Sequence, residues 1–547
     1  MGSHRALIRL LALPLALALA AAACGDSDDE ADASDESAET DAGADDADDE
    51  SAAQDDETTT TTAPAGRSGT LTWALGSNGA NFFDPHATTN PFGRSWMYPF
   101  YDRLTQIDAG GEVTPMLATA WEFAEDGSAL SLTIREGVVF HDGTPLDAEA
   151  VKANIDRARD PEIAAGTFVD LLAVDSVDVV DPITVQLNLK APGGALPAIL
   201  SDQAGMMISP AAMANEDLGT KPVGAGPFVA TEFRVDEVMF GEAFDDYWDP
   251  EFPKVDNLEL RFVLDPTTRF NATISGEVDG GVFDVGTFAR SDAEDQGLEL
   301  TERFSTALFQ LFFNTERVPE LANPAVRRAM AMAIDQEAFG AALFNGECRP
   351  TDQVFGEGWY THNPDIGADY HPFDPDGARA ILEAEGVTDL QFTVITANIP
   401  SFVAQAEAMQ AFLADIGITM EVAPTPIPEL IAGFVVNKTA DAYWSLNPGA
   451  ADPAKFVATI WLPQSPFNPG GYEVPGLVDL HQRAQEGTTE AERAPVYQEM
   501  SQLLADEQLT IAVCTPASIM AHRPEAGGVT LLSTLSDVDA SRIFLEE

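Results

Sequence analysis

Positive charge is scarce in this sequence. Its 547 residues hold 28 lysines and arginines against 90 aspartates and glutamates, a formal net charge of −62, and only six residues are lysine. So acidic a surface repels phosphate backbones and anionic lipid heads, which sets nucleic acid and charged membrane surfaces aside as partners. Cysteine is almost as rare: beyond Cys24 there are only Cys348 and Cys514. Two such residues exclude a disulfide-stapled scaffold and a C-x-x-C redox pair; in an oxidising compartment they can pair with each other or stay free. Long apolar runs are missing too. The stretch Leu10 to Ala23 is about fourteen residues, too short to span a bilayer core of about 30 Å, and no other segment comes nearer.

The signatures of covalent chemistry are also absent. There is no G-x-S-x-G, no H-E-x-x-H and no G-x-x-x-x-G-K. The seven histidines are scattered. His362, Asp365, Asp369 and His371 come nearest to a metal set, but their spacing fits neither a helix face nor a strand face. Asn363-Pro364 and His371-Pro372 mark a solvated loop there. His141 has no nucleophile or second histidine at useful spacing and reads as a turn residue. The expectation is a protein without a catalytic centre, metal or cofactor. A secreted hydrolase is the alternative from another class, and a surface adhesin a third.

What is present begins with Arg5, Arg9, the short apolar run and Ala21-Ala22-Ala23-Cys24. This pattern predicts a secretory signal peptide over 1–24, with Cys24 in the position of a lipoprotein's acylated first residue. Residues 25–66 contain 17 acidic residues, no lysine or arginine, and the run Thr58 to Thr62. Too few apolar groups are available to offset the entropy of ordering, so an extended, disordered tether is expected. All but two of the basic residues and all but 17 of the acidic ones lie beyond it, leaving a body at −47.

The body is organised around Trp121 to Arg159. Leu130, Leu132 and Ile134 alternate with Ser131, Thr133 and Arg135, which predicts a half-buried strand between the turns Asp126-Gly127 and Asp142-Gly143. Thr144 and Pro145 read as the cap and first residue of a helix bearing Val151, Ile155 and Ala158. Asn323-Pro324 and Asp374-Pro375 repeat that device. Val177 and Val179 face Ile183, Val185, Leu187 and Leu189 across a hairpin turn. Leu258 to Leu264 alternates as a strand, and the helix after it ends at Gly276. Leu390–Val394, the stripe Met409, Phe412, Leu413 and Ile416, then Ile418–Val422 predict a parallel β-α-β unit.

Several of these passages resemble one family closely. Trp121…Asp126-Gly127…Ile134-Arg135-Glu136-Gly137-Val138-Val139-Phe140-His141-Asp142-Gly143-Thr144-Pro145 is similar to the most recognisable run of the bacterial extracellular solute-binding proteins of family 5. Val223-Gly224-Ala225-Gly226-Pro227-Phe228, Gly276-Glu277-Val278-Asp279, Val326-Arg327-Arg328-Ala329 through Ile334-Asp335, and Arg493…Tyr497 resemble further motifs, so the likeness covers about 69–547. It implies an α/β, two-lobed periplasmic-binding-protein-like fold (type II, cluster C) with an extra β-rich subdomain. Lobe I would comprise 67–112, 205–300 and 510–547, the subdomain 113–204, and lobe II 301–509.

It also implies a peptide or peptide-sized polar solute held between the lobes, an ABC permease as partner, a monomer, and a lipid anchor on the outer face of the cell membrane. A nickel chelate, an opine or a sugar is the alternative cargo. In the family's peptide binders an acid in a "W..D..DP" passage pairs with the ligand's amino end. Here Trp444 and Asp452-Pro453 match the ends of that passage, but Asn447 or Gly449 stands where the acid belongs. The expected cleft residues are therefore Trp444, Asn447 and Gly449, with Asn90, Phe92, Phe355 and Trp359 as walls.

Overall fold

The strand Thr510–His522 is buried along all 13 residues. A strand covered on both faces carries a continuous apolar run instead of an alternating one, and Ile511-Ala512-Val513 and Ile519-Met520-Ala521 show it. Its first half pairs antiparallel with Leu308–Phe313, Leu311 opposite Ile511 and Phe312 opposite Thr510. Its second half pairs with Glu299–Phe304 on one side and Gly280–Phe283 on the other. Two successive segments of chain thus lie end to end along one long strand.

The computed structural model describes residues 67–76, 83–88, 93–108, 111–164, 167–283, 287–304, 306–357, 359–447, 449–531 and 537–546. The leader, Cys24, the tether and the wall residues Asn90 and Phe92 lie outside the described residues. Lobe I is built on Thr70–Leu75, parallel to Asn257–Phe262, which continues antiparallel through Val238–Ala243 to Phe228–Arg234. Trp73, Phe83, Trp96, Phe100, Tyr101 and Phe228 fill its core. Lobe II carries the predicted crossover: Gln391–Ala397 and Thr419–Thr425 run parallel around the helix Pro400–Asp415, with Ala442–Asn447 bridging to Leu308–Phe313. Cys348 and Cys514 form a disulfide, and the short strand Cys348–Pro350 pairs with Cys514 to Pro516 where the long strand changes lobes.

The subdomain is a four-stranded antiparallel sheet in the order Ala118–Phe123, Ala129–Ile134, Thr184–Leu189, Val174–Asp181. Leu130, Leu132 and Ile134 are at most 2% exposed, and removing each from water contributes about 1.5–3 kcal/mol. One local expectation needs correction. The helix starts at Ala148, three residues later than Thr144-Pro145 predicts, and its cap is Asp147, which accepts from the Ala150 N–H. Thr144 instead closes a turn by accepting from the Phe140 N–H, and Pro145 makes a bridge to Val139. A Thr-Pro pair suits a turn as well as a helix entry, and Asp147 caps strongly enough to take the start for itself. Asn323 and Asp374, each followed by proline, do cap their helices, Pro324–Met332 and Pro375–Ala384.

His141 is structural. Its Nε2 donates to the Gly226 carbonyl at 2.9 Å, and its Nδ1 accepts from the Gly224 N–H at 3.3 Å. The ring thereby pins the subdomain's turn to the Val223–Phe228 turn of lobe I. Burial pushes His141 down to about 4, so the ring is neutral at pH 7. The unfolded chain, with its ordinary value of 6.5, takes up the proton first as pH falls. The ring's contribution is therefore complete above 6.5 and is lost between 6.5 and about 4. We expect the melting temperature to fall more steeply over that window in the wild type than in His141→Asn, a difference on the order of 2 kcal/mol; parallel pH profiles would refute this role.

Candidate functional site

Asn447 ends the lobe II strand opposite Leu308, at the point where the chain crosses between lobes. Its Oδ1 accepts from the Gly449 N–H at 3.1 Å, an Asx turn that holds Gly449 at φ +80°. The chain then runs to Asp452, which caps the helix Pro453–Ile460 by accepting from the Ala454 N–H at 2.8 Å. Asp452 also receives both arms of Arg493, at 2.6 and 2.7 Å. Arg493 rises from the first turn of Glu490–Glu507, a helix begun by a Thr489/Glu492 capping box, and further donates to Tyr497 and the Ala484 carbonyl. Asp452 is 1% and Arg493 4% exposed. The pair is charge-balanced and held by several hydrogen bonds, and it fixes the segment Asn447–Asp452 to the rest of lobe II.

In front of this pair lies a cavity of about 320 Å³, walled on one side by Glu112, Trp121, Gly194 and Pro197 and on the other by Trp359, Tyr360, Asp452, Glu490 and Arg493. The first group comes from the lobe I side and the second from lobe II, so the space exists only while the two stand together. Small-molecule sites occupy about 300–1,000 Å³. Because Arg493 is neutralised by Asp452, the charge left facing the cavity is that of Glu112 and Glu490. Burial, with Glu112 nearby, pushes the Glu490 carboxyl above its ordinary range, Arg493 opposing. The Tyr360 hydroxyl is shut off from solvent and has no hydrogen-bond partner among the described residues. Such a lining accepts hydrogen bonds and favours a ligand that presents donors or positive charge. A larger recess of about 560 Å³, bordered by Asp479, Arg483, Glu499 and Asp506, belongs to lobe II alone and cannot respond to closure.

The expected cleft residues divide. Trp359 lines the cavity, and Asn447 and Gly449 shape the turn leading to it. Trp444 does not: it is wholly buried, stacked on Phe309, and donates Nε1 to Gln405. Phe355 is likewise core, packed edge-on to Trp461 and Tyr497. Both are large aromatics beside the right motif, and apolarity alone does not tell a wall from the core behind it. No sequence motif singles out Gln310. It faces the same side of the sheet as Leu308, is wholly buried, and forms no hydrogen bond through either amide atom among the described residues. A glutamine inside Leu308-Phe309-Gln310-Leu311-Phe312-Phe313 was the available signal. His371 Nε2 donates to the Ala505 carbonyl at 2.9 Å, and among the described residues no group of histidine, cysteine or carboxylate side chains is placed to hold a metal.

Two lobes on a shared strand, meeting around a polar cavity, define a solute-binding protein that works by closure. Residues 112–468, well over half the chain, match the profile of the bacterial extracellular solute-binding proteins, family 5 (middle region), and the chain belongs to that family, the receptors of ABC importers. It is similar to the glutathione-binding protein GsiB of Pectobacterium atrosepticum, with 27% identity over 81% of this chain and 88% of that one. Its fold is similar to the periplasmic binding protein AgaA of A. tumefaciens R10, solved with agropinic acid (TM-score 0.76, 23% identity, 88% and 99% coverage). It is equally similar to DppA of Helicobacter pylori, solved with the peptide STSA (TM-score 0.76, 22% identity, 88% and 99% coverage). The family acts outside the cytoplasm, and among the described residues no helix is long and apolar enough to cross a membrane.

Removing one partner of a buried ion pair strands the other charge. Asp452→Asn is therefore expected to lower unfolding stability by about 3–5 kcal/mol in urea titrations. Glu490→Gln, at the cavity surface, should change it by no more than about 0.5 kcal/mol. Similar losses in both variants would show that Asp452–Arg493 is not the anchor of this face.

Proposed function

We propose that this chain captures peptides or peptide-sized polar solutes between its lobes and presents the closed, loaded form to an ABC permease. The observation that carries the reading is the cavity shared by both lobes, lined by aromatic rings and by two carboxylates that form no ion pair among the described residues. A solute touching both walls stabilises the closed form by the contacts it makes there and nowhere else. Glu112 and Glu490 supply the negative charge toward an amino group that Asn447 and Gly449 cannot. A relative named for glutathione binding and a fold neighbour solved with a peptide support the same class of cargo. We further propose that the protein acts as a monomer, acylated at Cys24, with residues 25–66 as a tether that keeps the body clear of the membrane.

Protein purified from its own host should release an identifiable solute on denaturation, read by mass spectrometry. The loaded form should melt above protein that has been unfolded, dialysed and refolded; at 100 times Kd the gain is about 2.7 kcal/mol. Small-angle scattering should show contraction on loading. No released solute, together with unchanged melting across di-, tri- and oligopeptide pools, would overturn the reading.

A further inference from the structure

We propose that Gly194 and the Asp170–Lys455 pair are positioning residues for closure: a backbone contact and a charge contact that together set the distance at which lobe I and lobe II stop. The inference rests on the solute-capture reading only for the use made of closure. Gly194, in the subdomain, donates its N–H to the carbonyl of Gln485 in lobe II at 3.3 Å. A Cβ at Gly194 would stand 1.9 Å from the Gly487 carbonyl oxygen and 3.0 Å from that of Gln485. Its φ is not in the left-handed region, so the backbone would accept any residue there. What requires glycine is the opposite lobe.

The second contact is Lys455 Nζ to Asp170 Oδ2 at 2.7 Å. Lys455 stands on the helix capped by Asp452, and Asp170 on the segment that follows the subdomain helix Ala148–Ala158. The neighbouring cation on the lobe I side, Arg94, is already held by Asp537 at 2.7 Å and Asp202 at 3.4 Å. Asp170 is thereby left to Lys455. Burial pushes the Asp170 carboxyl up and Lys455 pulls it down; on Lys455, the attraction of Asp170 and Asp202 outweighs burial and keeps the ammonium charged. The Asp452–Arg493 anchor holds the Lys455 helix and closes one side of the cavity, so the two contacts are mechanically linked.

The test is hydrogen exchange by mass spectrometry on the full-length protein as isolated, with scattering in parallel. Lys455→Met should speed exchange by about threefold or more in residues 193–200 and 485–490, outside the Asp170 ion pair that Lys455 forms, while Lys455→Arg leaves them at the wild-type rate. Gly194→Val should abolish the protection at 485–490 and enlarge the radius of gyration. Unchanged exchange in Gln391–Ala397 shows in each case that the fold is intact. If Lys455→Met alters only residues 167–173 and 453–460, or if Gly194→Val stays as contracted as wild type, the proposal is wrong. These readouts use no added solute, so their failure is distinct from a failure to find bound solute.

Discussion

Every other relation between the lobes depends on the hydrogen-bonded ladder along Thr510–His522. Because Glu299–Phe304 and Leu308–Phe313 both pair with it, successive segments of the chain share one backbone spine, and the partner changes partway along it. Buried backbone groups must stay paired, so the ladder cannot open to permit movement. It can only twist. The disulfide and the strand Cys348–Pro350 sit at that same place, and Arg349 lies over the Phe304 ring, so the pivot is backed by a third segment.

On either side of the pivot the chemistry is unequal. Lobe I spends Arg94 on Asp202 and Asp537, and lobe II spends Arg493 on Asp452. In a chain with so few cations these pairings decide what remains free. What remains at the shared cavity is carboxylate and indole, a lining suited to holding a polar guest through hydrogen bonds. The family is one of receptors.

Much of this was legible in the residues. Asn323-Pro324 and Asp374-Pro375 announce helix starts because cap and ring constraint act locally. The β-α-β unit of lobe II is visible because its apolar period switches from two to 3.6 and back. The family's runs point to the segment Asn447–Asp452, of which Ala451 and Asp452 line the cavity. The pairing of Asp452 with Arg493, 41 positions apart, could not be read, although both residues stood in recognised passages. Nor could the burial of Trp444 and Phe355, which depends on how layers stack, or the role of Gly194, which is dictated by a segment nearly 300 residues away. Thr144-Pro145 failed for a local reason: turn and helix entry draw on the same two residue types, and Asp147 was the better cap.

The surplus of acid has a mechanical consequence. When halves of like sign approach, electrostatic work is done against their repulsion, and its size depends on the ions between them. In dilute buffer that repulsion reaches far; at about 0.15 M ionic strength it fades within about 8 Å. With −47 distributed over its body, this receptor grips in a way that salinity tunes, shutting more readily in brine than in fresh water.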